Sequence, residues 1–371
     1  MVTLSPCHSR RPRAAIAAPF NPGDDCIEMK FASRRCRWPS PWISRLILGL
    51  ILSLAYGCAA PAPPIGVWFG PAAPTTVSIQ SLPQDKTARL VHTPHYDIYT
   101  TLNDDDMVQK VAQLMEGSLT AYQTLAPGVP LTSYPMKCFI FSKRNQWAEF
   151  TRENTGAQAN LYLQINRGGY TVGDWYVAYY IGQTSTLSVA AHEGWHQYVA
   201  RNFQARLPPF LEEGLATMFE GVRFKDGLPR YNLSINQERA ISLRTAIDGN
   251  FLWPLDQLVG MHAGMILGRP GQKIDAWYAQ AWGLGRFLWD GDNGKYRPAL
   301  RQILQDTANG TVYDPTGPPH RNRLILWTQA GVQAMLEHYL QMDWGDIDAA
   351  YNRFIRHVAD DEIESESEEP G

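Results

Sequence analysis

His192-Glu193-Gly194-Trp195-His196 sets two histidines four residues apart around a glutamate. On a helix that spacing stacks them one turn apart on the same face, so both imidazoles can reach a single ion. The glutamate between them points near the same edge, where it can hold a water against that ion. Two histidines and a glutamate in this order are the minimum arrangement for zinc-assisted hydrolysis.

The next informative stretch is Leu207-Pro208-Pro209-Phe210-Leu211-Glu212-Glu213-Gly214-Leu215-Ala216, whose first carboxylate stands sixteen residues beyond His196. A structural zinc site takes four protein ligands, whereas a hydrolytic one takes three and leaves a position for water. His192, His196 and one of the two glutamates would complete the hydrolytic set. Pro208 and Pro209 suit the start of a second helix, because a missing N–H costs nothing in the first turn. The plainer alternative is that Glu212 and Glu213 only complement the positive end of that helix.

With both motifs in view, HEGWHQY followed by LPPFLEEGLATMFEG resembles the gluzincin metallopeptidases, closest to the peptidase-MA-like group that includes the DUF1570 proteins; the matching core covers roughly residues 90–355. The resemblance implies Zn2+ as cofactor and Glu213, directly before the glycine, as third ligand, with Glu212 outside the coordination shell. It implies Glu193 as general base, taking a proton from water as that water attacks a carbonyl.

Two further roles follow from the same resemblance. Glu220 stands seven residues after Glu213, two turns along one face, so its carboxylate can accept the outer N–H of a zinc-bound histidine. Otherwise it is an exposed helical glutamate. Tyr278 opens Tyr278-Ala279-Gln280-Ala281-Trp282-Gly283-Leu284, which is similar to the helix whose tyrosine donates to the developing oxyanion in gluzincin aminopeptidases. Gln280 stands where those enzymes carry lysine. They also carry a glutamate on the strand before the motif to hold a free amine. The corresponding stretch, residues 168–177, has only Asp174 as an acid, and a turn residue accounts for it. Aminopeptidase activity is disfavoured, and an endopeptidase fits better.

Residues 1–58 read as a leader. The twelve-residue apolar run 46–57 is too short to span a bilayer and suits a signal-peptide core, preceded by Arg34, Arg35, Arg37 and Arg45. It ends in Leu54-Ala55-Tyr56-Gly57-Cys58, which resembles a bacterial lipobox with Cys58 as the lipidated residue. Segment lengths put the true start at Met29. A membrane partner through that anchor, and a bacterial envelope location, follow as expectations. Ala59 in place of aspartate directs such a lipoprotein to the outer membrane of a two-membrane cell.

Beyond the leader the chain holds 25 basic and 33 acidic residues, and seven of those acids lie in 360–369. The body is nearly neutral and has no basic stripe, which disfavours nucleic acid as a partner. Of the five cysteines only Cys58 and Cys138 lie beyond residue 36, and Cys138 sits in the apolar run 136–141 as a buried, unpaired residue. Residues 59–85, rich in Pro, Ala, Ser and Thr, read as a tether, and 359–371 as an acidic disordered tail.

Between them, residues 86–358 suit one large domain or two lobes around a cleft. Strands are expected at 95–100, 137–142 and twice within 169–181, with helices at 103–125 and 145–154. Thr184-Ser185 can cap the helix of the two histidines, and the chain beyond 183 is mainly helical. Strands first and helices later argue for an α+β protein. The resemblance implies a zincin-like metallopeptidase fold, with a mixed sheet in an N-terminal lobe followed by a mainly helical part carrying the HExxH helix. Gly194 inside that helix costs roughly 1 kcal/mol relative to alanine, a cost met by close approach of the second helix or of substrate.

Two functions compete. The leading one is a lipid-anchored, extracytoplasmic zinc peptidase acting on peptide or protein. The other is a non-catalytic envelope lipoprotein using the same fold for binding or scaffolding. Retention of His192, Glu193, His196 and Glu213 together favours the enzyme.

Overall fold

Alternation along two strands explains how the first half of the chain is layered. In β4 (Met136–Phe141), Met136, Cys138 and Ile140 face the main core, while Phe139 and Phe141 join a second, aromatic cluster. In β6 (Trp175–Tyr179), Tyr176 and Ala178 take the first side and Trp175, Val177 and Tyr179 the other. Both faces of the sheet are therefore apolar, and each needs a helical cover. The computed structural model describes residues 63–82, 87–132, 135–166, 168–266, 269–317 and 326–364. Met29, Cys58 and the rest of the leader lie outside the described residues.

The sheet also contains β1 (Ser78–Ser81), β2 (Arg89–His92), β3 (Tyr96–Thr100) and β5 (Gly169–Val172), in the order β1-β2-β3-β4-β6-β5. Pairings β3–β4 and β4–β6 are parallel and the rest antiparallel, so the sheet is mixed. Helix α1 (Asp105–Leu125) links β3 to β4 and contributes to the main core. Asp104 caps it, accepting from the backbone N–H groups of Asp106 and Met107. Helix α2 (Arg144–Asn154) supplies Trp147, Ala148 and Phe150 to the aromatic cluster on the opposite face.

Helices then dominate: α3 (Gln183–Asn202), α4 (Pro209–Thr217), α5 (Gln237–Asp248), α6 (Leu255–Gly260), α7 (Gly271–Gly294), α8 (Arg297–Asn309), α9 (Gln329–Leu340) and α10 (Trp344–Glu364). Helix α7 loses helical geometry at Gly291, Asp292 and Asn293. The protein is thus α+β, with a mixed sheet preceding a mainly helical part. Among the described residues no helix is long and apolar enough to cross a membrane.

Several expectations are corrected. Helix α3 starts at Gly182, whose φ of 99° no other residue tolerates easily, and has no side-chain cap. Thr184 and Ser185 lie inside it, and Thr186 instead accepts from the N–H of Ile181 through Oγ1. A hairpin, β7 (Arg223–Lys225) and β8 (Leu228–Arg230), interrupts the helical half. Its signal is Asp226-Gly227, both at positive φ, the pair that two-residue hairpins favour.

The expected tether is not free over its described part. Residues 78–81 form a sheet strand, Phe69 and Tyr231 exchange backbone hydrogen bonds of 2.9 and 2.8 Å, and the Gln113 amide bonds both the N–H and the C=O of Thr75. Backbone pairing with the open edge of β2 outweighs the Pro-rich composition here. Likewise α10 carries the chain helically to Glu364, into the stretch read as a disordered tail, and Arg244 pairs with Asp360.

Candidate metal centre

Helix α3 packs on α1 at Gly194. A Cβ there would stand 2.5 Å from the Tyr122 hydroxyl, which donates to the Ala191 carbonyl at 2.6 Å. The glycine therefore admits α1, and neither the second helix nor a substrate is the reason for it. Gln197, buried one turn further on, donates to the carbonyls of Lys137 and Asp174 and ties α3 to the sheet. With its other faces held this way, α3 presents His192 and His196 together.

Helix α4 supplies the third group. At Gly214 it touches α7 backbone to backbone: a Cβ there would fall 2.2 Å from the Ala281 carbonyl oxygen. Glu213 consequently meets both histidines. Its Oε2 is 3.4 Å from His192 Nε2 and 3.5 Å from His196 Nε2, and the two Nε2 atoms are 3.2 Å apart. Ligands held at about 2.0–2.1 Å around a tetrahedral ion stand about 3.3–3.4 Å from one another. The three atoms already form one face of such a tetrahedron. His192, His196 and Glu213 are a group that could hold a metal ion. Their side chains keep 12%, 15% and 18% exposure, so the group is mostly enclosed by protein yet not sealed from solvent.

The outer nitrogens are occupied as well. His192 Nδ1 donates to Glu220 Oε1 at 2.8 Å, and His196 Nδ1 donates to Glu212 Oε1 at 3.1 Å. An ionised carboxylate can only accept, so each pairing puts a proton on Nδ1 and turns Nε2 toward the shared point. Glu220 lies in the turn beyond the end of α4, not two helical turns along it, and from there reaches the outer nitrogen of His192. Glu212 stays outside the ligand group but is more than a helix-end charge, a role missed from sequence.

Glu220 is itself secured. Arg239 grips both its oxygens, Nε to Oε2 at 2.8 Å and Nη2 to Oε1 at 2.9 Å, and Asn236 adds a bond to Oε2 at 2.9 Å. The carboxyl is held down to about 2: burial opposes this, but the Arg239 charge and the His192 hydrogen bond outweigh burial. Burial pulls the His192 imidazolium down, and Glu213 and Glu220 more than reverse it, leaving it raised to about 9. His196 moves the same way against burial through Glu213 and Glu212. Burial raises Glu213, but the two histidines hold it well below the usual carboxylate range. The group attracts positive charge, as protons or as a cation.

Glu193 lies outside the ligand group; its carboxylate accepts from the Thr171 hydroxyl of β5 at 2.9 Å. Tyr278, near the start of α7, is half-buried, with the Arg239 guanidinium 5.5 Å from its ring centre and its edge packed on Trp277. Burial first, and the Glu213 charge second, push its phenol well up. Gln280 does not replace the lysine of the resembling motif in this site. Its amide bonds the N–H and C=O of Trp253, at 2.7 and 2.9 Å. Asp174 sits in the β5–β6 turn and pairs with Arg201.

Sequence reading missed Thr171, Asn236, Arg239 and the contact of Glu212 with His196. Glu212 had a visible signal, being adjacent to Glu213; the other three had none. Cys58 lies outside the described residues. Comparisons with protein-family models, with curated proteins and with solved structures found no match to this chain. The class of protein that fold and site define is an α+β protein with a two-histidine, one-glutamate group able to hold a metal ion.

Proposed function

We propose that the protein is a zinc-dependent peptidase with a zincin-like fold, in which Glu193 is the general base and His192, His196 and Glu213 hold the metal. The observation that carries this reading is the near-equilateral triangle of donor atoms, with each histidine clamped by its own carboxylate. Two imidazoles and one carboxylate suit zinc, and a three-ligand set leaves a coordination position for chemistry. When bound there, zinc supplies Lewis acidity toward a carbonyl and lowers the pKa of water.

The chain's own residues do the rest. Glu193, oriented from β5, accepts the proton of the attacking water and later passes it to the leaving amine. Tyr278 stays a neutral phenol because burial and neighbouring carboxylates disfavour its anion, so it can donate a hydrogen bond where negative charge develops. Asp174, engaged by Arg201, is not offered to a substrate amine, which supports an endopeptidase over an aminopeptidase. The membrane anchor at Cys58, the envelope location and a peptide or protein substrate belong to the same proposal.

Replacing Glu193 separates this reading from a binding or scaffolding role. Glu193→Ala should keep the fold and bound zinc while hydrolysis of labelled casein falls about 100- to 10,000-fold. Wild-type-like turnover in the zinc-loaded variant would sink the mechanism, and a zinc-replete wild-type protein inert on every peptide would favour the scaffold.

A further inference from the structure

Thr171 reaches Glu193 at two atoms. Its Oγ1 lies 2.9 Å from Glu193 Oε2 and 3.0 Å from the backbone oxygen of the same residue. A threonine hydroxyl carries one proton and also offers lone pairs. Both acceptors in reach belong to Glu193. The hydroxyl can donate to the carboxylate, or it can turn to the backbone oxygen and accept from the side chain. It therefore keeps a bond to Glu193 whether that side chain is an acceptor or, after taking up a proton, a donor.

The fold supplies the rigidity such a role needs. Thr171 sits opposite Tyr176 in the β5–β6 ladder, and Tyr176 is fully buried. Gly169, two residues earlier, touches the β6 backbone closely enough that a Cβ would fall 2.9 Å from the Val177 carbonyl oxygen. That contact fixes β5 against β6. Along α3, Gln197 ties the helix to the same turn region through the carbonyl of Asp174. The hydroxyl and the carboxylate are thus carried by two elements locked to each other.

Resting on the peptidase reading above, we infer that Thr171 is the positioning residue of the base: it selects the Glu193 rotamer and holds it through both halves of the proton transfer. Its hydroxyl reaches Glu193, and the residue lies outside the group able to hold a metal ion. Zinc content and KM are therefore expected to be independent of it, while the chemical step is not.

The test compares wild-type, Thr171→Val and Thr171→Ser proteins, loaded with zinc and assayed on labelled casein, alongside crystal structures of the metal-free forms. Valine keeps the branched shape that suits a strand but removes the hydroxyl. The expected result is kcat lower by about 10- to 100-fold in the valine variant, the rate equivalent of one hydrogen bond to a charged group, with KM and zinc content unchanged. Serine should restore most of the rate, and the Glu193 side chain should leave its rotamer in the valine crystal. Valine turnover within twofold of wild type, or a serine variant as slow as valine, overturns the inference. If the wild type cleaves nothing, the peptidase reading fails, and the crystals still decide the positioning role: an unmoved Glu193 in Thr171→Val overturns it, a displaced one upholds it.

Discussion

The two histidines of one helix are supported in unequal ways. His192 leans on Glu220, whose carboxylate is itself held by Arg239 and Asn236 through three hydrogen bonds. His196 leans on Glu212, a partly exposed carboxylate with His196 as its recorded hydrogen-bond partner among the described residues. One arm ends in a neutralised, interlocked network, and the other in a single contact near solvent. The lesson is that a symmetrical motif acquires an asymmetrical site from what packs behind it. His192 is the more heavily braced arm and His196 the more lightly braced one.

That asymmetry can be broken or sharpened by substitution. The largest effect belongs to the residue the arms share: Glu213→Ala should abolish stoichiometric zinc in metal analysis of the purified protein. Retained metal there, with metal lost in Glu212→Ala, would mean that the ligand is misassigned. Next comes helix placement. Gly214→Ala should destabilise by about 3 kcal/mol, because its new Cβ meets the backbone of Ala281, which cannot turn aside. Thermal unfolding would read this as a clear fall in Tm, and an unchanged Tm would refute the close crossing of α4 and α7.

Smaller changes compare the arms directly. Removing a carboxylate behind a metal-bound histidine typically weakens metal affinity by about 10- to 100-fold. Glu220→Gln should fall toward the upper end, since it also strands the buried Arg239 charge. Glu212→Gln should fall toward the lower end. Competition against a zinc chelator measures both, and equal losses would remove the distinction drawn between them.

How much of this was legible beforehand depends on distance along the chain. The helix of His192 and His196, the alternating strands β3, β4 and β6, and the capped helix α1 all follow from local spacing. Asp226-Gly227 was an equally local hairpin signal, overlooked because the surrounding run reads as helical. Composition misled at residues 63–82: Pro and Ala suggest a tether, yet Ser78–Ser81 finds the open edge of β2.

By itself, the order of residues determined the donor types, their helical spacing, the α+β class and the buried character of Cys138. Those properties rest on periodicity and chemistry within a few turns of chain. Which glutamate faces both Nε2 atoms, why residue 194 is glycine, and that Thr171 and Arg239 serve the site at all were decided by packing. Helices α1, α3, α4, α5 and α7 and strand β5 must come together before those side chains meet, and no local spacing encodes a contact between distant elements.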